Sequence, residues 1–244
     1  MITDFLKDNE RLDDLECKGL RIIQRPGGYC FTSDSVLLAN LSRVKKGDRV
    51  CDLCTGSGVV ALLVSAKFDP KEVVGVELQP RLADMATRSV RCNGYENRVT
   101  ILNAPVQGVE KTLGCGAFDV VIGNPPYALA EKKDDYSEEE ICKTECRLTL
   151  EEFVSSAAKI LKFDGGFFMV HKAYRLADVI CCMRNNDLEP KRLWLIQPKA
   201  DKDVDAFVIE GKKGGKPHLL VPSPVVVYNN DGSYTQQARR LYGK

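Results

Sequence analysis

The residues that first point to chemistry are Asn124-Pro125-Pro126-Tyr127, which follow the apolar run Phe118-Asp-Val-Val-Ile-Gly123. Two successive prolines fix φ and remove backbone donors, so nearby carbonyls stay out of a ladder and can face a site. An amide on one side and an aromatic ring on the other complete the group. Such a set suits a flat amine, an adenine amino group or a glutamine amide, whose lone pair is delocalised and poorly nucleophilic. If the Asn124 side-chain oxygen and the Pro125 carbonyl accept both N–H bonds, they favour the tetrahedral nitrogen that develops as it attacks a methyl carbon. Tyr127 can stack on the plane of the acceptor. No strong base is needed, because the nitrogen becomes acidic only after substitution, and in-line positioning supplies much of the barrier reduction. The plainer alternative is a proline-stiffened turn.

A second constellation lies upstream. Asp52-Leu-Cys-Thr55-Gly56-Ser57-Gly58 ends one apolar strand and leads at once into the helical stretch 59–68. Glycines there turn the chain sharply and leave no Cβ to block a nucleoside lying across the strand ends. The next strand ends in Glu77, 19 residues beyond Gly58, about where an acid accepts hydrogen bonds from ribose hydroxyls. The run Gly56-Ser-Gly58-Val-Val-Ala61 also satisfies the loose dinucleotide pattern, so NAD competes with S-adenosylmethionine (SAM). Asp52 favours SAM, since a carboxylate repels a pyrophosphate but attracts a cationic amino group and a sulfonium. Its other reading is an acceptor that orders the loop.

These groups need a scaffold, and the pattern supplies one. From about residue 48, short β-branched runs alternate with helical stretches, the signature of βαβ units. The runs predict seven strands, at 49–53, 72–78, 99–103, 118–123, 166–171, 192–197 and 206–211. Pro80 opens a helix whose apolar side is Leu82, Met85, Ala86 and Val90 and which Asn93-Gly94 closes. Thr149-Leu-Glu-Glu152 is a capping box before another helix, and Asp164-Gly165-Gly166 turns the chain into the next strand. Residues 128–147, crowded with Lys132, Lys133, Asp134, Asp135 and Glu138 to Glu140, form a solvated loop or a lid over the adjacent motif.

Composition narrows the class. A chain of 244 residues with 44% hydrophobic and 28% charged residues suits one globular unit. The expected division is an extension, 1–48, packed on the cofactor site and a catalytic unit, 49–244. Lysine and arginine total 35 against 34 acids, so nucleic-acid contact must use local patches. Candidates are Arg88 and Arg91, Lys199 and Lys202, Lys212, Lys213 and Lys216, and Arg239-Arg240. With a charged start and no apolar stretch of membrane-spanning length, a cytoplasmic location is expected. The ten cysteines include Cys51 and Cys54 as a CxxC but no second pair, so they read as reduced, buried small hydrophobes and no metal is expected.

Asp52, the glycine loop, Glu77 and Asn124 to Tyr127 resemble the amino-methyltransferases of the class I fold. With Gln24 and Tyr29-Cys-Phe31-Thr32-Ser-Asp34-Ser-Val-Leu-Leu-Ala before the first strand, the chain is similar to the family of tRNA adenine N6-methyltransferases that modify adenosine 37 of a valine tRNA. The resemblance implies a Rossmann-like α/β fold, a mostly parallel sheet with helices on both faces, SAM as methyl donor and an RNA substrate. It assigns Phe31, Thr32 and Asp34 to the methionine side of SAM, Asp52 and Gly56 to the amino acid and sulfonium and Glu77 to the ribose, with Thr55, Ser57, Gly58 and Leu78 as further cofactor contacts. Asn124, Pro125, Pro126 and Tyr127 would hold the target base. One departure stands out: related enzymes place an acid after the third strand to read the adenine amine of SAM, whereas Asn103-Ala104-Pro105 stands here, leaving Asn103 or a backbone carbonyl near Ala104 as the substitute.

Other acceptors remain in view: release-factor glutamine, which would ordinarily come with a helical domain where only 48 residues precede the first strand, or a DNA or rRNA base. DNA needs a region that reads base edges, whereas RNA can be recognised by shape and a splayed loop base. A binder without catalysis and an NAD oxidoreductase are the readings from other classes.

Overall fold

The computed structural model describes residues 2–28, 30–130 and 133–242, so Tyr29 and Lys132 of the sequence motifs lie outside the described residues. Eight strands form the central sheet, in chain order β3 (Arg49–Leu53), β4 (Glu72–Glu77), β5 (Val99–Asn103), β6 (Phe118–Gly123), β7 (Leu161–Lys172), β8 (Leu188–Gln197), β9 (Ala206–Lys213) and β10 (Val225–Val226). A separate hairpin, β1 (Arg11–Asp14) with β2 (Arg21–Gln24), precedes them. The spatial order is β10-β8-β9-β7-β6-β3-β4-β5. Only β9 is antiparallel to its neighbours.

Seven expected strands become eight because β10, two residues pairing with Ile196 and Gln197, is too short to show any periodicity. β7 also starts earlier than its apolar run. Leu161 already pairs with Phe118, and the register then skips before Gly166 meets Val120. The Asp164-Gly165-Gly166 turn is therefore a bulge inside the strand, with Asp164 at φ 67°.

Side-chain alternation divides the sheet between two cores. Val50, Val120, Phe168 and Val208 face α1 (Ser33–Leu41), α2 (Val59–Phe68) and α8 (Gln236–Tyr242). Cys51, Val121, Phe167 and Ile209 face α6 (Leu150–Ile160) and α7 (Leu176–Asn185). Both faces are thus covered by helices, as parallel strands require. Phe153 and Phe167, fully buried on the second side, each contribute about 1.5–3 kcal/mol by burial.

α3 (Pro80–Cys92) starts with its proline in the first turn, where the missing N–H costs nothing, and hands over to Gly94 at φ 72°. The β1–β2 hairpin docks on it. The Ile23 N–H donates to Ser89 Oγ at 3.0 Å, the Arg21 N–H to Asn93 Oδ1 at 2.9 Å, and Arg88 pairs with Glu10. A short helix, α4 (Glu110–Leu113), follows β5, and α5 (Glu138–Lys143) lies in the charged stretch after β6. Among the described residues no helix is long and apolar enough to cross a membrane.

Candidate active site

β3 and β6 are neighbours in the sheet, with Leu53 opposite Gly123, yet the chain continues from β3 towards β4 and β5 on one side and from β6 towards β7 on the other. Parallel sheets open a crevice at such a reversal, beyond the carboxyl ends of the strands. The glycine loop leaves β3 and Asn124-Pro125-Pro126-Tyr127 leaves β6 at that crevice. Two glycines let the strands and helices close up around it. A Cβ at Gly123 would lie 2.8 Å from the Leu53 carbonyl oxygen, and Gly58, at φ 93°, would set one 3.3 Å from the Ala86 Cβ.

Two adjoining cavities occupy the crevice. One, of about 300 Å³ including its mouth, is lined by Phe31, Ser35, Thr55, Ser57 and Val60 and shares Cys54, Gly56 and Asn124 with the other. The second, of about 560 Å³ including its mouth, continues past Glu77 and Leu78 to Val106, Gln107, Ile141 and Leu148. Asn124 therefore stands where the cavities meet.

Glu77 is buried at the middle of the cleft, its two oxygens accepting from the Gly56 N–H at 2.9 Å and the Gln79 N–H at 2.8 Å. Burial raises its pKa and those backbone bonds oppose the shift. With Leu78 as a third backbone donor to the carboxylate, acceptor capacity is still left over, which fits a ribose hydroxyl. Asp52 is placed differently from the expectation that it meets the cofactor's cationic end. It lines neither cavity, and its carboxyl, buried beneath the loop, is held by the Thr55 hydroxyl and the Ala61 backbone N–H, which makes it an organiser of the loop. Burial, the largest influence, pushes its pKa up to about 7.

Of the other expected cofactor residues, Phe31, Thr55, Gly56, Ser57, Glu77 and Leu78 line the cleft, while Gly58 caps α2 just behind it. Thr32 is the N-cap of α1 and lines neither cavity. Asp34 also turns away, its carboxylate lying 3.6 Å from Lys172 Nζ. Asn103 and Ala104 are likewise outside: Asn103 Nδ2 donates to the carbonyls of Glu77 and Leu78, and the Ala104 N–H donates to that of Glu77. Buried Gln24 ties the hairpin to the site, donating to Ser57 Oγ at 2.6 Å and accepting from the Phe31 N–H at 3.0 Å.

Ser35 escaped the reading of single motifs. Its hydroxyl, 7% exposed, accepts from Asn124 Nδ2 at 3.2 Å, which leaves Asn124 Oδ1 as the acceptor at the cleft. Among the described residues nothing donates to the Pro125 carbonyl. Tyr127 is braced through its backbone, its carbonyl accepting from Tyr174 Oη and Arg175 Nη1, both at 3.3 Å. Arg175 is in turn paired with Glu145, both largely buried. Lys172 Nζ lies 5.5 Å from the Tyr127 ring centre and the His171 ring meets it edge-on. Burial, with Arg175 beside it, lowers the His171 pKa to about 4, so this imidazole is neutral near pH 7.

Residues 133–147 fold down over the cleft. Ser137 and Glu140 make a capping box that starts α5, a signature legible in Ser-Glu-Glu-Glu but masked by the surrounding charges. Arg81 clamps Glu138, and Gln79 Nε2 reaches the Glu138 carbonyl and Cys142 Sγ. Ile141, Cys142 and Arg147 thereby become walls of the larger cavity.

Several basic candidates turn out to have partners inside the protein. Arg88 is largely buried against Glu10 and Asp84, and Lys213 Nζ donates to the Ala158 and Leu161 carbonyls. The cysteines also divide: Cys51 is buried and Cys54 lines the cleft, with burial pushing both thiols up, but Cys115 and Cys181 are exposed rather than core.

Sheet order, loop and cleft define a SAM-dependent methyltransferase of the class I fold. More particularly, the chain belongs to the methyltransferase small domain family, whose model matches residues 31–179. It is 25% identical over 194 residues to a tRNA1(Val) (adenine(37)-N6)-methyltransferase of Porphyromonas gingivalis, covering 78% of this chain and 76% of that one. An enzyme of the same name from Aeromonas hydrophila is 21% identical over 211 residues, 86% of each chain. Among solved structures, a predicted O-methyltransferase of Agrobacterium tumefaciens superposes with a TM-score of 0.71 at 23% identity, over 86% of this chain and 95% of the other. Geranyl diphosphate C-methyltransferase of Streptomyces coelicolor A3(2), solved with S-adenosylhomocysteine, gives 0.56 at 14% identity over 74% and 76%. Both structural likenesses speak for the fold.

Proposed function

We propose that this methyltransferase transfers a methyl group to the N6 amine of an adenine in RNA, namely adenosine 37 of a valine tRNA. The observation that carries the reading is the placement of Asn124 at the junction of the two cavities, its Nδ2 held by Ser35 and its Oδ1 left to accept. The names of the Porphyromonas and Aeromonas relatives support the same acceptor.

The cleft residues fit SAM, which when bound supplies an electrophilic methyl group: Glu77 would hold the ribose, and Phe31 with the glycine loop the methionine end. Asn124 Oδ1 and the Pro125 carbonyl accept the two N–H bonds of the target amine. Both acceptors are better matched to the tetrahedral nitrogen of the transition state than to the planar ground state, so their effect falls on turnover. Tyr127, fixed by its backbone bonds, stacks the base, while α5 and Leu148 keep water from the cleft. The proton lost after transfer leaves an already cationic nitrogen and needs no strong base.

The test is mass spectrometry of nucleosides from tRNA of a deletion strain beside its parent, together with labelled SAM, purified enzyme and tRNA lacking the modification. The expected result is loss of N6-methyladenosine from one tRNA and its restoration in vitro. Label transferred to protein glutamine, to another nucleoside or to no acceptor would overturn the assignment.

A further inference from the structure

The larger cavity has an apolar slot lined by Leu78, Val106, Ile141 and Leu148, residues the smaller cavity does not share. Glu77 also lines only the larger one, whereas Gly56 and Asn124 line both. In SAM the ribose carries the sulfonium on one side and adenine on the other. With the ribose at Glu77 and the reactive end at Asn124, the purine enters the apolar slot. Its exocyclic amine is a donor and needs an acceptor there. Asn103 does not supply one, because its side chain joins the Glu77 and Leu78 carbonyls outside the cavity, and Ala104 has no polar side chain.

We infer that Gln107 reads the adenine amine through its side-chain oxygen. The orientation of this amide follows from its partners. Nε2 lies 2.8 Å from the Arg147 carbonyl and 3.3 Å from Glu152 Oε2. Both are pure acceptors, so the NH₂ end must face them and Oε1 is left for the slot that Gln107 lines. The Glu152 carboxylate is itself held by the Thr149 N–H and hydroxyl in the capping box of α6, which keeps that partner in place. Gln79 also lines the cavity, its Nε2 facing the Glu138 carbonyl at 3.3 Å and Cys142 Sγ at 3.0 Å, so its Oε1 is the competing acceptor that Gln79→Ala tests. An amide three residues beyond Ala104 thus takes over the work of an acid at the strand end and recognises adenine without adding a buried charge.

The experiment is calorimetric binding of S-adenosylhomocysteine and of S-inosylhomocysteine, in which a ring carbonyl replaces the amine, to the parent protein and to Gln107→Ala, Gln107→Met and Gln79→Ala, with thermal melts to verify folding. The parent is expected to prefer the adenine ligand by about tenfold or more, the worth of a hydrogen bond gained against a facing acceptor pair. Both Gln107 variants should bind the adenine ligand about tenfold more weakly, leave the inosine ligand nearly unchanged and so lose the preference, while Gln79→Ala keeps it. A parent protein that does not discriminate overturns the inference without recourse to any variant. So does a Gln107→Met protein that still discriminates, or a loss of preference confined to Gln79→Ala.

Discussion

Asn124 and Ser35 form a pair whose coupling can be measured. Asn124→Ala removes one of two preorganised acceptors from the developing positive charge, a loss comparable to deleting one oxyanion-hole donor, about 3–4 kcal/mol or 10²–10³ in turnover. Ser35→Ala removes only the 3.2 Å bond that keeps Nδ2 away from the substrate. The amide is then free to rotate between two orientations, which costs about twofold in kcat if they are equally populated and roughly sixfold if the turned one is favoured by a neutral hydrogen bond of about 1 kcal/mol. Ser35 acts through Asn124, so the double variant should be no slower than Asn124→Ala alone, within about twofold. Ser35→Thr, which retains the hydroxyl, should recover most of the rate. The assay is single-turnover transfer from methyl-labelled SAM to unmodified tRNA, with S-adenosylhomocysteine affinity measured in parallel and expected to stay constant. Multiplicative losses in the double variant would refute the positioning role of Ser35, and an Asn124→Ala enzyme at full rate would refute the role of the motif itself.

Glu77→Ala should act in the opposite sense, weakening S-adenosylhomocysteine by roughly 10–100-fold, the worth of charged hydrogen bonds, with a smaller effect on rate at saturation; unchanged affinity by calorimetry would remove Glu77 from the site. Asp52 has a pKa raised by burial from 3.8 to about 7, so the folded state holds its proton more tightly than the unfolded chain. Its stabilising contribution is complete below pH ~4 and is lost as pH rises through about 7. Melting curves should therefore show Asp52→Asn gaining on the parent between pH 4 and 7 and holding that gain above it; a pH-independent difference between the two would contradict the assignment. Gln24→Leu strands the half-buried Phe31 N–H and frees Ser57, and urea unfolding should register a loss of about 1–3 kcal/mol. A cost below 0.5 kcal/mol would mean that hairpin and loop are not joined there.

The parts of this protein that its sequence determined are those whose causes lie within a few residues. Strands β3 and β6 begin and end where their apolar runs do, because strands buried on both faces must be largely apolar and must stop at turn-forming residues. The glycine loop, Glu77 and the Asn124 motif were legible for the same reason: each is a local backbone shape with a side chain at its tip. Helix α5 was lost among charges although its capping box was written in four adjacent residues. What only the tertiary structure decided is which side chains meet. Asp52 turns to Thr55 and Ala61, Asp34 to Lys172, Arg88 to Glu10, Ser35 to Asn124 and Gln107 to Arg147 and Glu152. Most of these partners are tens of residues apart, and sheet order brings them together by setting β6 beside β3, with residues 133–147 folded across the strand ends. A hydroxyl or an amide has the same local propensity whether it faces solvent or a catalytic side chain, so its role emerges only when long-range packing supplies the partner.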